Sequence, residues 1–285
     1  MANTIIDNMM HHYNEFTKSE RKIIDYILTH KSEAQYFSIT DLSHACKISV
    51  STISVFCRKL GTDGFNDFKL ELAKATIPQV VASVPSAFGE IQADDTLEQV
   101  FEKTYSANQD ALSKTFQRLD KTAVSQAVDW LKEAGQILCL GQGNHSIVAT
   151  AAWSRFSTVS SRFKTMEDSH LQMIAASTME KQDVVLFFSY SGSTHDFIEL
   201  AKIAKSRGAK IILITRFPHS PGAELADLIL VIGTDEKPLS YGSIAAMASQ
   251  LLVIDILYNE FCRRDFEHSE KLRNFVGKAL AQKCL

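Results

Sequence analysis

Five apolar residues, Val184-Val185-Leu186-Phe187-Phe188, run directly into Ser189-Tyr190-Ser191-Gly192-Ser193-Thr194. A helical pattern follows from about His195 to Arg207, which Gly208 can end. This order reads as a buried strand, a short turn and a helix. Ser, Gly and Thr are common in turns and at helix caps. Four Ser/Thr hydroxyls exceed what one cap needs. Free amide groups at a helix start, together with hydroxyl donors, suit a phosphate or another anion. Gly192 lets the backbone approach such a ligand closely.

The flanking sequence repeats this alternation. Strands are expected at 136–140, 162–166, 184–188, 210–215 and 228–232. Helices are expected at 146–156, 170–177, 195–207 and 223–226, with a long apolar helix at 244–261 as the last. Such spacing implies parallel β-α units with right-handed crossovers, so the fold expected here is an α/β doubly wound domain with a five-stranded parallel sheet. In the order 2-1-3-4-5, ligands bind where the chain reverses direction, at the carboxyl ends of strands 1 and 3. The loop after strand 1 is Gly141-Gln142-Gly143-Asn144-His145-Ser146. It would face the hydroxyl-rich loop across that crevice. Ser146 occupies the third glycine position of a GxGxxG fingerprint, so a dinucleotide cofactor is not expected.

The N-terminal part is different. Thr17 and Glu20 have the spacing of a capping box opening a helix. A second helix is expected at 39–46, a turn at Lys47-Ile48-Ser49, and a third helix from Val50 to Leu60 with Ser49 as its N-cap. Leu42, Ala45, Ile48, Ile53, Phe56 and Leu60 form the seam of two steeply crossing helices, with Ala45 allowing close approach. This is an all-α helix-turn-helix pattern. Lys47, Ser49, Ser51, Thr52, Ser54, Arg58 and Lys59 fall on the face that a DNA-reading helix presents to the groove and to phosphates. A unit of this kind can also serve only for packing, and residues 1–77 balance nine Lys/Arg against nine Asp/Glu.

The domains are therefore expected at 1–77 (helix-turn-helix) and 97–285 (α/β), with a linker at 78–96 that holds Pro78 and Pro85. A length of 285 residues fits two domains. The five cysteines are scattered without CxxC spacing, which argues against structural zinc or a disulfide framework and fits a reducing cytoplasm. A net charge of −3 gives no support for non-specific coating of nucleic acid. No run of apolar residues approaches the roughly 20 needed to cross a bilayer, and no signal peptide is visible, so no membrane association is expected.

The stretches 16–23, 50–61 and 64–69 resemble the RpiR-type transcriptional regulators. The second half, with residues 189–194 and Ala226-Asp227 before a strand, looks like a sugar isomerase (SIS) domain. The resemblance covers nearly the whole chain in the family's domain order. It implies a regulator of carbohydrate metabolism that binds operator DNA as a homodimer or homotetramer and senses a sugar phosphate, usually without turning it over. Carried onto this sequence, Ser189, Ser191, Ser193 and Thr194 would hold the phosphate beside Gly192. Gly143 and its neighbours Gly141, Asn144, His145 and Ser146 would close over the sugar, and Ser243 would add donors at the start of the long helix. No metal and no cofactor is implied. The chain departs from the family where His145 replaces a common serine, Val55 a common arginine and Asp63 a common lysine. The rival reading is a phosphosugar aldose–ketose isomerase with an N-terminal packing module. Glu167, Asp168, His170 and His195 are the residues able to serve it as a base.

Overall fold

The computed structural model describes residues 4–30, 37, 39–76, 91–234 and 243–283. They divide into two compact units, the first ending at Lys103 and the second beginning at Thr104. Of the expected linker, 78–90 lies outside the described residues, as do Ser240, Tyr241 and Gly242.

The first unit contains α1 (Ile5–His11), α2 (Lys18–Thr29), α3 (Ile39–Cys46), α4 (Val50–Lys59) and α5 (Phe65–Thr76). Its core joins Met9, Ile23, Ile24, Ile27, Leu42, Ile53, Phe56 and Phe68. The α3–turn–α4 pair packs as the seam requires, with one change. Ala45 is exposed, and Cys46 is the buried residue at the end of α3. Leu42 and Cys46, four residues apart, share the buried face, and Ala45 falls at its edge, where it is exposed. The Thr17–Glu20 capping box is formed in both directions, and Ser49 caps α4 by accepting from the Thr52 amide.

The second unit holds α7 (Lys121–Glu133), β1 (Ile137–Gly141), α8 (Asn144–Phe156), β2 (Phe163–Thr165), α9 (Ser169–Ser177), β3 (Val184–Phe188), α10 (His195–Ser206), β4 (Lys210–Thr215), α11 (Pro221–Leu225), β5 (Leu228–Val231), α12 (Ile244–Arg263) and α13 (Phe266–Ala281). α6 (Leu97–Arg118) carries the boundary between the units. The five strands pair in parallel in the order β2-β1-β3-β4-β5. Alternate strand residues feed opposite faces, as a period of two demands. Leu138, Leu140, Val185, Phe187, Ile211 and Leu213 pack with α9 and α10. On the other face, Phe156 of α8 stacks on Phe163 and meets Tyr258 and Phe261 of α12 edge-on.

Element ends shift by up to two residues from expectation, and one helix is added. α8 starts at Asn144 rather than 146, because Gly143 takes φ 56° and turns the chain into the helix at once. α12 is not the last helix, since α13 follows it. Phe275 and Leu280 of α13 are exposed, so that helix lacks the buried apolar stripe that marks an amphipathic segment. By length and composition α12 could cross a membrane. In this fold, however, Val253, Leu257 and Phe261 are buried.

Glu20 is 8% exposed, caps Thr17, and meets Lys59 Nζ at 3.0 and 3.2 Å. Burial raises its carboxyl pKa. The Thr17 amide and the Lys59 ammonium outweigh burial and leave it below the ordinary 4.5. A depressed carboxylate stabilises the fold above its unfolded value, and that contribution is lost as pH falls through the folded value. Glu20→Ala is expected to cost the helical unit about 1–2 kcal/mol at neutral pH. The wild type should approach the variant as pH falls below 4.5, through the lowered pKa of the folded carboxyl. Thermal melts of both proteins across pH 3–7 measure this.

Candidate functional site

The loops after β1 and β3 start side by side, since Gly141 pairs with Phe188 at the carboxyl ends of neighbouring strands. One imidazole joins them. The Tyr190 amide donates to His145 Nε2 at 3.2 Å, so that nitrogen carries no proton. The proton then sits on Nδ1, which lies 2.9 Å from Gln250 Oε1 on α12 and donates to it. Burial pulls the His145 pKa below its ordinary 6.5 and outweighs the bond to Gln250. Both ring nitrogens are therefore hydrogen-bonded within the protein. It ties together the two loops that a ligand would touch.

Around this bridge the backbone is tightly fitted. A Cβ on Gly141 would fall 2.5 Å from the His145 carbonyl oxygen, and a Cβ on Gly192 would fall 2.1 Å from Ser220 Oγ. Gly192 also takes φ 61°, and its carbonyl accepts from the Gly222 amide at 2.8 Å. Ser189 is 3% exposed, and its hydroxyl accepts from the Gly192 amide at 3.0 Å, so it braces the loop from below. Ser191 and Ser193 are half-buried above it. Ser191 Oγ accepts from the Ser193 amide at 3.2 Å, which leaves its own hydrogen free to donate. Thr194 precedes α10 without a side-chain cap, and among the described residues the His195 and Asp196 amides make no hydrogen bond. An uncapped helix start beside hydroxyl groups is the local chemistry of an anion site.

On the facing loop, Gly143 and Asn144 are exposed, and Ser146 donates to the Gly143 carbonyl at 2.8 Å. Ser243 caps α12 by accepting from the Ala246 amide at 3.1 Å. Asp168 caps α9 through the Leu171 amide at 2.9 Å, while Glu167, His170 and His195 are exposed. Sequence reading passed over Gln172 and Gln250. Both are buried polar residues within otherwise apolar helices, and that misfit was the available signal. Gln172 Nε2 donates to the Gly141 and Met166 carbonyls at 3.2 and 2.9 Å. Its Oε1, and Nε2 of Gln250, are buried without a partner among the described residues.

In the helical unit, Lys47 ends α3 in the left-handed region at φ 54°. The Ile48 amide reaches back to the Ser43 carbonyl at 3.0 Å and the Lys47 amide to His44 at 3.3 Å, a Schellman-type close. Ser49 Oγ lies 2.9 Å from Ser51 Oγ and 2.8 Å from Thr52 Oγ1, so three expected contact residues share one cap cluster. Ser54 is half-buried, and Arg58 is exposed. Lys59 is exposed, yet its ammonium is paired with Glu20 and sits 4.7 Å above the Phe16 ring.

The bridge predicts a pH dependence. A histidine whose native pKa is depressed stabilises the fold above its unfolded value near 6.5, and that contribution fades as pH falls below it. Melting midpoints of wild type and His145→Ser are compared from pH 8 to 5.5. The wild-type curve should lose stability more steeply on acidification, by no more than about 1.4 kcal/mol per pH unit, the linkage limit for one proton.

Comparison with known proteins places these units. Residues 3–79 match the model of the rpiR-family helix-turn-helix domain, and residues 130–260 match the SIS domain. An HTH-type transcriptional regulator of Caldanaerobacter subterraneus subsp. tengcongensis is 32% identical over 245 residues, covering 86% of each chain. The HTH-type transcriptional regulator HexR of Escherichia coli is 29% identical, covering 98% of this chain and 94% of its own. The same-named regulator of Pseudomonas aeruginosa is 30% identical over 89% of this chain and 87% of its own. The structure of the Vibrio vulnificus NanR protein complexed with ManNAc-6P shares the fold, with a TM-score of 0.79 at 24% identity over 99% of this chain and all of that one. With its helix-turn-helix unit followed by a doubly wound SIS unit, the chain belongs to the RpiR family of transcriptional regulators.

Proposed function

We propose that the crevice between the β1 and β3 loops binds a sugar phosphate, and that occupancy changes the affinity of the N-terminal unit for operator DNA. The observation that carries this reading is the uncapped start of α10 beside the free hydroxyl of Ser191. The phosphate would lie on the amides of α10 with Ser191, Ser193 and Thr194. Gly143, Asn144 and Ser146 would approach the sugar, and Ser243 would add a donor if the start of α12 comes near. The regulator would act in the cytoplasm as a homo-oligomer, with the helix-turn-helix at 1–77, the linker at 78–96 and the sensor at 97–285. The ligand must bind two arrangements of the oligomer unequally, or it shifts nothing. Recognition helices that match half-site spacing in one arrangement would miss it in the other.

Binding without turnover is the reading favoured here. Its support is that the relatives are named as regulators and that Asp168, a candidate base, already caps α9. Conversion of any sugar phosphate at an enzyme-like rate would overturn it.

Two measurements test the reading. Binding of the DNA flanking its own gene is titrated with and without a panel of sugar phosphates. Ser191→Ala should weaken the response to the active sugar roughly tenfold or more, the worth of one hydrogen bond to a charged group, and leave unliganded DNA binding within about twofold. Equal loss of both would defeat the separation of roles. For the reading helix, Arg58→Ala should lower affinity for all sequences and reduce the salt slope by about 1. Lys59→Ala should leave that slope unchanged and lower the melting temperature instead, because its charge is already paired with Glu20.

A further inference from the structure

α6 carries a row of large, exposed apolar side chains. Leu97, Phe101, Tyr105 and Phe116 are 73%, 70%, 70% and 69% exposed, and Leu112 is 37% exposed. At 100° per residue they fall within one narrow arc of the helix, together with the half-buried Asn108. The neighbouring flank of α6 is fixed. Thr115 is fully buried and accepts from the Gly233 amide at 2.9 Å, while the Ala111 carbonyl accepts from Ser249 Oγ at 3.3 Å. α6 therefore cannot roll its apolar row inward without breaking these bonds.

The spacing identifies the occupant. Leu97, Phe101, Tyr105, Asn108, Leu112 and Phe116 follow one another at intervals of 4, 4, 3, 4 and 4 residues, which reads the same in both directions. A row with that symmetry is complementary to itself when a second copy lies antiparallel across it. Around a twofold axis between positions 106 and 107, Leu97 meets the partner's Phe116, Phe101 meets the partner's Leu112, and Tyr105 meets the partner's Asn108. A twofold contact requires this reciprocity, in which each residue of a pair meets the other on both sides. The five apolar side chains expose on the order of 600 Å² per chain, so pairing along the row would bury at most roughly 1,200 Å², the lower end of specific interfaces. A patch of this size is at the upper limit of what monomers leave exposed.

We propose that α6 pairs with α6 of a second copy as an antiparallel seam along this row. The seam needs neither DNA nor effector, so it stands apart from the sugar-phosphate reading.

Disulfide trapping tests direction and pairing together. All proteins carry Cys284→Ser, and Cys46, Cys57, Cys139 and Cys262 are buried. On oxidation the double variant Leu97→Cys/Phe116→Cys should give a covalent dimer, because the two positions face each other across the axis. Leu97→Cys alone and Phe116→Cys alone should not, since each position and its own copy would lie about 28 Å apart, 19 residues at 1.5 Å. A dimer from either single variant means parallel pairing and overturns the proposal, as does no dimer from the double variant. Sedimentation equilibrium of the full chain gives a second reading. Phe101→Glu/Phe116→Glu should halve the mass of the wild-type species with the far-UV circular dichroism unchanged. Equal masses for wild type and variant would refute the seam.

Discussion

The SIS unit depends on one half-buried imidazole. His145 accepts from the backbone of the β3 loop and donates to a glutamine on α12, so three segments distant in sequence share one ring. The tautomer is forced, because an amide hydrogen points at Nε2 and only Nδ1 can hold the proton. Loss of the ring would strand the Tyr190 amide and the Gln250 carbonyl oxygen in a buried setting, a penalty of about 1–3 kcal/mol for each unsatisfied group. The glycines on either side share this constraint. Gly141 admits the first turn of α8 against the end of β1, and Gly192 admits Ser220 beneath the hydroxyl loop. The two loops are thus held in place by close backbone contacts and one shared ring.

The helical unit shows the same division between residues that build a surface and residues that use it. Lys59 and Glu20 neutralise each other while Glu20 also closes the cap of α2. Lys47, Arg58 and Lys59 are all exposed around the turn and α4, and of the three Lys59 is the one paired with Glu20. Lys47 stands in left-handed backbone, where a residue other than glycine costs about 1–2 kcal/mol. Its backbone therefore stands at the tip of the turn, two residues before the Ser49 cap cluster. A unit with balanced charge can still present a basic edge when its carboxylates are spent internally.

Much of this was legible in the chain. The five strands followed from apolar runs at βαβ spacing, their order from the two polar loops that must face each other, and the capping box of α2 from Thr17 and Glu20 three apart. The hydroxyl-rich loop stood out because four Ser/Thr side chains are more than a cap requires. The errors have physical causes. Ala45 was assigned to the seam on size, while it falls at the exposed edge of the buried face. The pairing of Lys59 was missed because exposure along its own helix says nothing of a carboxylate 39 residues away. α13 was missed because its apolar residues do not form a buried stripe.

The sequence by itself determined the local structure and the fold class, because helix caps, strand alternation and glycine turns depend on residues a few positions apart. It also determined the family. Only the tertiary structure decided what His145, Ser189 and Lys59 do. Each takes its role from a partner brought near by the fold: an amide at 190, a glutamine at 250, a carboxylate at 20. Hydrogen bonds and ion pairs are set by distance in space, and a linear pattern carries no record of which distant groups will supply them.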